Sequence, residues 1–237
     1  MTAEQAAETT TRSPYQLKLS PYSSHTLLLA ALPAQGNGRW VLDVGCGDGY
    51  LSALLVERGY KVVGVDKPSA HHRDFPSLVE FIGTDLDRGL PPLDTVFSYV
   101  ICADVIEHLR EPVAFLYQLR RLLADDGCLV ASLPNSGNLY FRLNVLFGRF
   151  PAHDRGLFDR THLHFLVWSG WKDLFSQVGY RMDSVVPTPI PFSAAWPQWK
   201  DSLPVRALEW FAFQAARLWK TMFAYQFVVV ACKEPHE

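Results

Sequence analysis

The chain has 237 residues, 49% hydrophobic and 13% aromatic, with a formal charge of only −2, which suits one α/β domain with a large core. The mixed charges leave no basic footprint, so no nucleic-acid partner is expected. No apolar run reaches the ~18 residues of a spanning helix, and the polar N-terminus lacks the apolar heart of a secretory signal, so the sequence points to a cytoplasmic protein without a transmembrane segment.

Residues 1–19 read as a disordered tail, and 20–237 as a single domain. The spacing of Leu27, Leu28, Ala31 and Leu32 predicts a helix over 20–32, broken by Pro33 and the glycines at 36 and 38. An apolar strand over 39–44 runs into a glycine-rich turn. A helix over 50–58 follows, with Leu51, Leu54 and Leu55 on one face and Gly59 as its stop. Strands are expected at 61–65, 78–82 and 96–102, a helix with Pro112 at its first position at 112–123, and a strand at 128–133. This alternation argues for a parallel, doubly wound sheet with helices on both faces.

Beyond Pro134 the rhythm loosens. A helix is expected at 167–178, strands at 180–186 and 225–232, and a helix at 205–222. The insertions at 135–166 and 187–223 are candidates for the substrate side, since long irregular segments in compact domains are usually functional. In helix 205–222, Leu208, Phe211, Ala215, Leu218 and Met222 share one side, widened by Trp210, Phe213 and Trp219. The first reading is a cover over the last strand or a pocket. A homodimer face or peripheral membrane contact are the alternatives. The four cysteines, Cys46, Cys102, Cys128 and Cys232, form no C-x-x-C pair and are expected to be reduced, buried thiols.

The strand–turn–helix at 41–55 has the logic of a ligand loop. Gly45 and Gly47 permit a tight turn and close approach, Cys46 lies between them, and the helix starting at Tyr50 directs free N–H groups at the turn. Tyr50 stands where a dinucleotide fingerprint wants its third glycine, so a methionine carboxylate and a ribose fit better than a pyrophosphate. Asp43 can meet a methionyl amino group. Asp66 can accept both ribose hydroxyls. Asp85 can accept from an adenine amine, flanked by Leu86 and Lys67. All three carboxylates follow strand ends, where ligands bind in such sheets.

The stretches VLDVGCGDGYLSALL, VVGVD, GTDLDRGLP and VICADVIEHL resemble, in order and spacing, the cofactor half of class I S-adenosylmethionine-dependent methyltransferases. The resemblance implies S-adenosyl-L-methionine as cofactor and a seven-stranded Rossmann-like sheet of order 3-2-1-4-5-7-6 with strand 7 antiparallel. It also places Ala103, ending strand four, at the cofactor. Downstream, SLPNSGNLYFRLNVLFGRFP and FDRTHLHF are similar to two branches. One is the MetW-type proteins, which implies a cofactor-binding regulatory partner of a biosynthetic enzyme. The other is the ubiquinone- and polysaccharide-type methyltransferases, which implies O-methylation of a small molecule or a saccharide or lipid-linked precursor.

Asp104, Glu107 and His108, at i, i+3 and i+4, would project from one face if that stretch is helical. His108 is the candidate general base, because imidazole titrates near neutrality, with Glu107 beside it. No metal is assigned. The resemblance nevertheless leaves open a divalent ion on Asp104, Glu107, His108 and either His162 or His164. Arg142, Arg149, Arg155 and Arg160 make the first insertion basic enough to hold an anionic acceptor.

Overall fold

The computed structural model describes residues 20–70, 75–199 and 201–234, so the expected N-terminal tail lies outside the described residues. Seven strands form one sheet: β1 (Trp40–Val44), β2 (Lys61–Asp66), β3 (Glu80–Gly83), β4 (Phe97–Ala103), β5 (Leu123–Pro134), β6 (Tyr180–Thr188) and β7 (Gln226–Lys233). Their order is β3-β2-β1-β4-β5-β7-β6, as expected. β1 to β5 pair in parallel, and β7 runs antiparallel between β5 and β6.

The central strands are apolar on both faces because helices cover both. On one side α1 (Ser24–Ala30) and α2 (Tyr50–Glu57) bury Leu28, Leu29, Leu51 and Leu55 against Val41, Val62, Ile101 and Val130. On the other, α3 (Pro112–Leu122) and α5 (Trp168–Gln177) set Phe115, Leu119, Trp171 and Phe175 against Leu42, Val100 and Leu129. α1 starts where Ser23 accepts the Thr26 N–H at 3.2 Å. Trp171 is anchored by its indole N–H, which donates to the Pro134 carbonyl at 2.8 Å.

Register aligns the strand ends that matter for function. Val44 pairs with Val65 and Cys102, Asp66 with Gly83, Ala103 with Ser132, and Pro134 with Gln226, which also pairs with Thr188. Both insertions therefore leave the sheet at its carboxyl edge. The first contains α4 (Leu139–Leu146). The second contains α6 (Phe192–Ala195), α7 (Leu203–Leu218) and α8 (Lys220–Phe223).

Two expectations are corrected. The helix expected over 205–222 breaks at Trp219, and its buried side chains are Val205, Glu209 and Ala216, while Phe211 and Leu218 face outward. Leu208, Phe211, Ala215 and Leu218 share one side of α7, with Met222 beyond the break, but the packed face is another one. The thiols are not all reduced: Cys128 and Cys232, opposite one another across β5 and β7, form a disulfide, while Cys46 and Cys102 are free and buried. Cross-strand pairing of residues 104 apart in sequence has no local signature.

Candidate active site

β1 delivers Asp43 to the carboxyl edge, and the chain then turns through three glycines into α2. Gly45, Gly47 and Gly49 all have positive φ, at 68°, 53° and 73°. A Cβ on Gly45 would lie 2.6 Å from Val105 Cγ2, whereas a Cβ on Gly47 would meet no atom within 4 Å. Gly45 thus lets the loop pack on the segment after β4, and Gly47 faces open space that a ligand can enter. The Gly47 N–H donates to Asp66 Oδ2 at 2.8 Å and the Lys67 N–H to Asp66 Oδ1 at 2.6 Å, which aims this carboxylate at the loop. Each oxygen keeps further lone-pair capacity for a hydroxyl.

Asp43 is buried and accepts the Ser52 hydroxyl at 2.5 Å. Burial pushes its carboxyl up to about 7, opposed by the Ser52 bond and aided by Asp66. Cys46 is buried under the loop, and burial raises its thiol. Tyr50 is exposed in the first turn of α2, Lys67 is exposed beside Asp66, and Ala103 ends β4. Asp85 is half-exposed and accepts the Asp87 N–H at 3.2 Å, capping a short turn that carries Leu86 against the core. The sequence-picked cofactor residues therefore gather along the ends of β1 to β4.

After β4 the chain is not a regular helix, which corrects the expectation that Asp104, Glu107 and His108 share one face. Asp104 has φ 57°, and Ile106–His108 is a single tight turn. Asp104 turns to the sheet: its Oδ1 accepts from the Ser132 hydroxyl at 2.5 Å and from Gln226 Nε2 at 2.7 Å. Glu107 points inward and is 1% exposed, with neither carboxylate oxygen hydrogen-bonded. Burial holds its carboxyl well above the usual range, reinforced by Asp104.

The first insertion supplies the other wall. His162 Nε2 lies 3.8 Å from Glu107 Oε1, too long for a hydrogen bond, and its Nδ1 has no partner. Burial, then the neighbouring His108, pushes this imidazole down to about 4. The His108 and His162 rings lie 4.7 Å apart. One ligand atom from each of Glu107, His108 and His162 falls within 4.8 Å of the others, a donor set suited to a divalent cation. Asp104 and His164 are not in that set; His164 Nε2 instead meets the Leu109 carbonyl at 2.8 Å.

A shallow recess opens between the start of α1, the rim of β6 and β7, and α6 with α7. Ser23, Thr188, Ser193, Glu209, Tyr225 and Gln226 are among its lining residues. Gln226 joins the recess to Asp104. Sequence reading missed Gln226, Ser132 and Glu209, which lie in apolar strands or a helix and carry no motif. It also missed Thr161 and Asp159, although both sit in the polar run before His162. Of the arginines, Arg142 donates to the Gly137 carbonyl at 2.6 Å and Arg160 pairs with Asp154.

A seven-stranded sheet of this order with a glycine cradle at the β1 end defines a class I methyltransferase domain, the S-adenosylmethionine-dependent class. A family model described as "Methyltransferase domain" matches residues 15–185, and the chain belongs to that family. The chain is similar to a tRNA U34 carboxymethyltransferase of Aeromonas hydrophila, 39% identical over 105 residues, covering 39% of this chain and 31% of the relative. It is also similar to the mitochondrial ubiquinone biosynthesis O-methyltransferase of Bos taurus, 25% identical over 177 residues, covering 70% of this chain and 48% of the relative. The matched region thus spans about a third to a half of these relatives. Among solved structures, magnesium protoporphyrin IX methyltransferase from Synechocystis, with S-adenosylhomocysteine bound, superposes with TM-score 0.55 at 21% identity, covering 89% of this chain and 80% of that one. A Burkholderia thailandensis 1,6-didemethyltoxoflavin-N1-methyltransferase gives TM-score 0.55 at 16% identity, covering 90% and 77%. These two share the fold.

Proposed function

We propose that this S-adenosylmethionine-dependent methyltransferase transfers the methyl group to an oxygen of a small molecule or of a saccharide or lipid-linked precursor. The observation that carries the reading is the bond between Gln226 and Asp104, which joins the cofactor edge to a recess rich in hydroxyl groups. Such a recess offers many donors and acceptors to an oxygen-bearing acceptor. In this reading Gly45, Cys46, Gly47 and Tyr50 hold the methionyl end, and Asp43 meets its ammonium. Asp66 and Lys67 take the ribose, and Asp85, Leu86 and Ala103 the adenine. Transfer from a sulfonium is an in-line displacement in which positioning supplies much of the acceleration. His108 Nε2 accepts the proton of the acceptor hydroxyl, beside Glu107.

The unpartnered buried oxygens of Glu107 and the orphaned Nδ1 of His162 favour a second use of the cluster. Glu107, His108 and His162 fit a divalent cation, which when bound would supply Lewis-acid activation of the acceptor oxygen. His108 would then be a ligand, not a base. Methyl transfer from labelled S-adenosylmethionine to phenolic, catecholic and glycosidic acceptors, with and without a strong chelator, tests both readings. Chelator-resistant transfer that His108→Ala abolishes supports the base; transfer lost on chelation supports the cation. Tight S-adenosylhomocysteine binding without transfer to any acceptor would instead favour the MetW-like regulatory role.

A further inference from the structure

α7 is turned inside out. At about 100° per residue, Leu203, Trp210, Phe211 and Leu218 fall within one arc of roughly a quarter turn. They are 78%, 46%, 64% and 91% exposed, while Val205, Glu209 and Ala216 face the protein. A surface helix ordinarily buries its apolar stripe; this one presents it to the outside, with Trp219 exposed at its end. Arg206 and Arg217 run along one border of the arc, both exposed. The single carboxylate between residues 202 and 223 is Glu209, which is buried and accepts the Ser193 N–H at 2.8 Å. The nearest exposed acid in sequence, Asp201, precedes the helix.

The same sheet edge carries a second surface of this kind. Residues 135–153 contain no Asp or Glu, and Leu146, Phe147 and Phe150 are exposed near Arg142 and Arg149. The side-chain amides of Asn135 and Asn138 both donate to the Ala224 carbonyl just after α8, at 2.8 and 2.7 Å, tying the two insertions together.

We propose that the outward face of α7 docks on the surface of an anionic lipid bilayer. Its apolar side chains enter the boundary between headgroups and acyl chains, the tryptophans sit at headgroup level, and Arg206 and Arg217 meet lipid phosphates. Charge selects this occupant: a second copy seated symmetrically on the face would bring Arg206 and Arg217 against cations of its partner, and the outward arc itself carries no carboxylate to balance them, Asp201 lying ahead of the helix. The docking rests on surface composition alone and stands apart from the methyl-transfer reading.

Flotation of the full chain with vesicles tests it. The protein should rise with vesicles in which a third of the lipid is phosphatidylglycerol, with a blue shift of tryptophan emission, and stay behind with phosphatidylcholine vesicles. Arg206→Gln with Arg217→Gln should weaken partitioning by roughly 30-fold, and Phe211→Ser with Leu218→Ser should abolish it. These side chains are exposed, so thermal midpoints should be unchanged; if the serine pair melts early, the charge pair decides. No flotation with anionic vesicles, or equal flotation with neutral ones, overturns the proposal. So does a dimer in sedimentation that Phe211→Ser with Leu218→Ser disperses, since that would assign the face to a second copy.

Discussion

His108 Nδ1 lies 3.1 Å from the Thr161 carbonyl oxygen and 3.0 Å from the Thr161 hydroxyl, and that hydroxyl donates onward to Asp159 at 2.6 Å. With the hydroxyl hydrogen committed to Asp159, Nδ1 is the ring nitrogen that carries the proton, donating to Thr161. Nε2 is left with its lone pair. Burial pushes the Asp159 carboxyl up, but the Thr161 hydroxyl and N–H outweigh it and hold the group low, so this acceptor stays ionised at neutral pH. His108→Ala should reduce kcat by about 10²–10⁴-fold if Nε2 is the base. Thr161→Val, which keeps the carbonyl but removes the hydroxyl that also faces Nδ1, should reduce kcat by about tenfold with KM unchanged. Equal kcat in both variants would assign His108 a structural role.

Asp43 makes cofactor affinity depend on pH. Its folded value of about 7 lies above the ordinary 3.8. In the free protein the stability contributed by the protonated group is full below about 4 and is lost as pH rises toward 7. The cofactor's ammonium selects the ionised carboxylate. S-adenosylhomocysteine should therefore bind about tenfold more weakly at pH 6 than at pH 8. Calorimetry across that range checks this, and Asp43→Asn should bind weakly with a flat profile.

Glu107 separates the two uses of the cluster. Its raised folded value means that stability present below the usual carboxylate range is lost as pH climbs toward that value. Glu107→Gln should therefore be more stable than the parent at neutral pH in chelator. If Glu107, His108 and His162 hold a cation, Mn²⁺ at a hundred times its Kd should raise the parent's thermal midpoint by roughly 5–10 °C. Glu107→Gln and His162→Ala should lose that rise. An unshifted parent midpoint removes the cation.

The Cys128–Cys232 bond closes a span of 104 residues and clamps β5 to β7, the strand pair that carries Gln226. Reduction, or Cys128→Ser, should lower the unfolding free energy in urea by up to about 4 kcal/mol. A transition that does not move under reductant would show that the bond contributes nothing to folding.

Gly45 tests the cradle. Ala there would hold φ near 68° and drive its Cβ against Val105. Gly45→Ala should cost about 1–3 kcal/mol of stability and abolish cofactor binding, whereas Gly47→Ala, which meets no protein atom, should cost less stability but still weaken binding. Denaturation and calorimetry on both variants read the two effects separately.

The fold was legible because its signals are local. Apolar runs such as VLDVG and YVICA mark buried parallel strands, and the glycines after Asp43 mark the turn that a close ligand needs. Both follow from neighbours a few residues apart. Asp43, Asp66 and Asp85 could be placed at one edge from strand ends alone. The same logic failed after β4, where a spacing of i, i+3, i+4 suggested one helical face but the backbone makes a tight turn through the positive φ of Asp104.

From sequence alone came the strand order expected of the resemblance, the glycine cradle and the identity of the ionisable groups near it, all written in short contiguous patterns. Only the tertiary structure decided that His162 and not Asp104 joins Glu107 and His108, that Gln226 ties the recess to the cofactor edge, that Cys128 meets Cys232, and that α7 faces outward. Each of these depends on which surfaces of distant segments pack together. Packing is settled by the whole core, which no window of neighbouring residues contains.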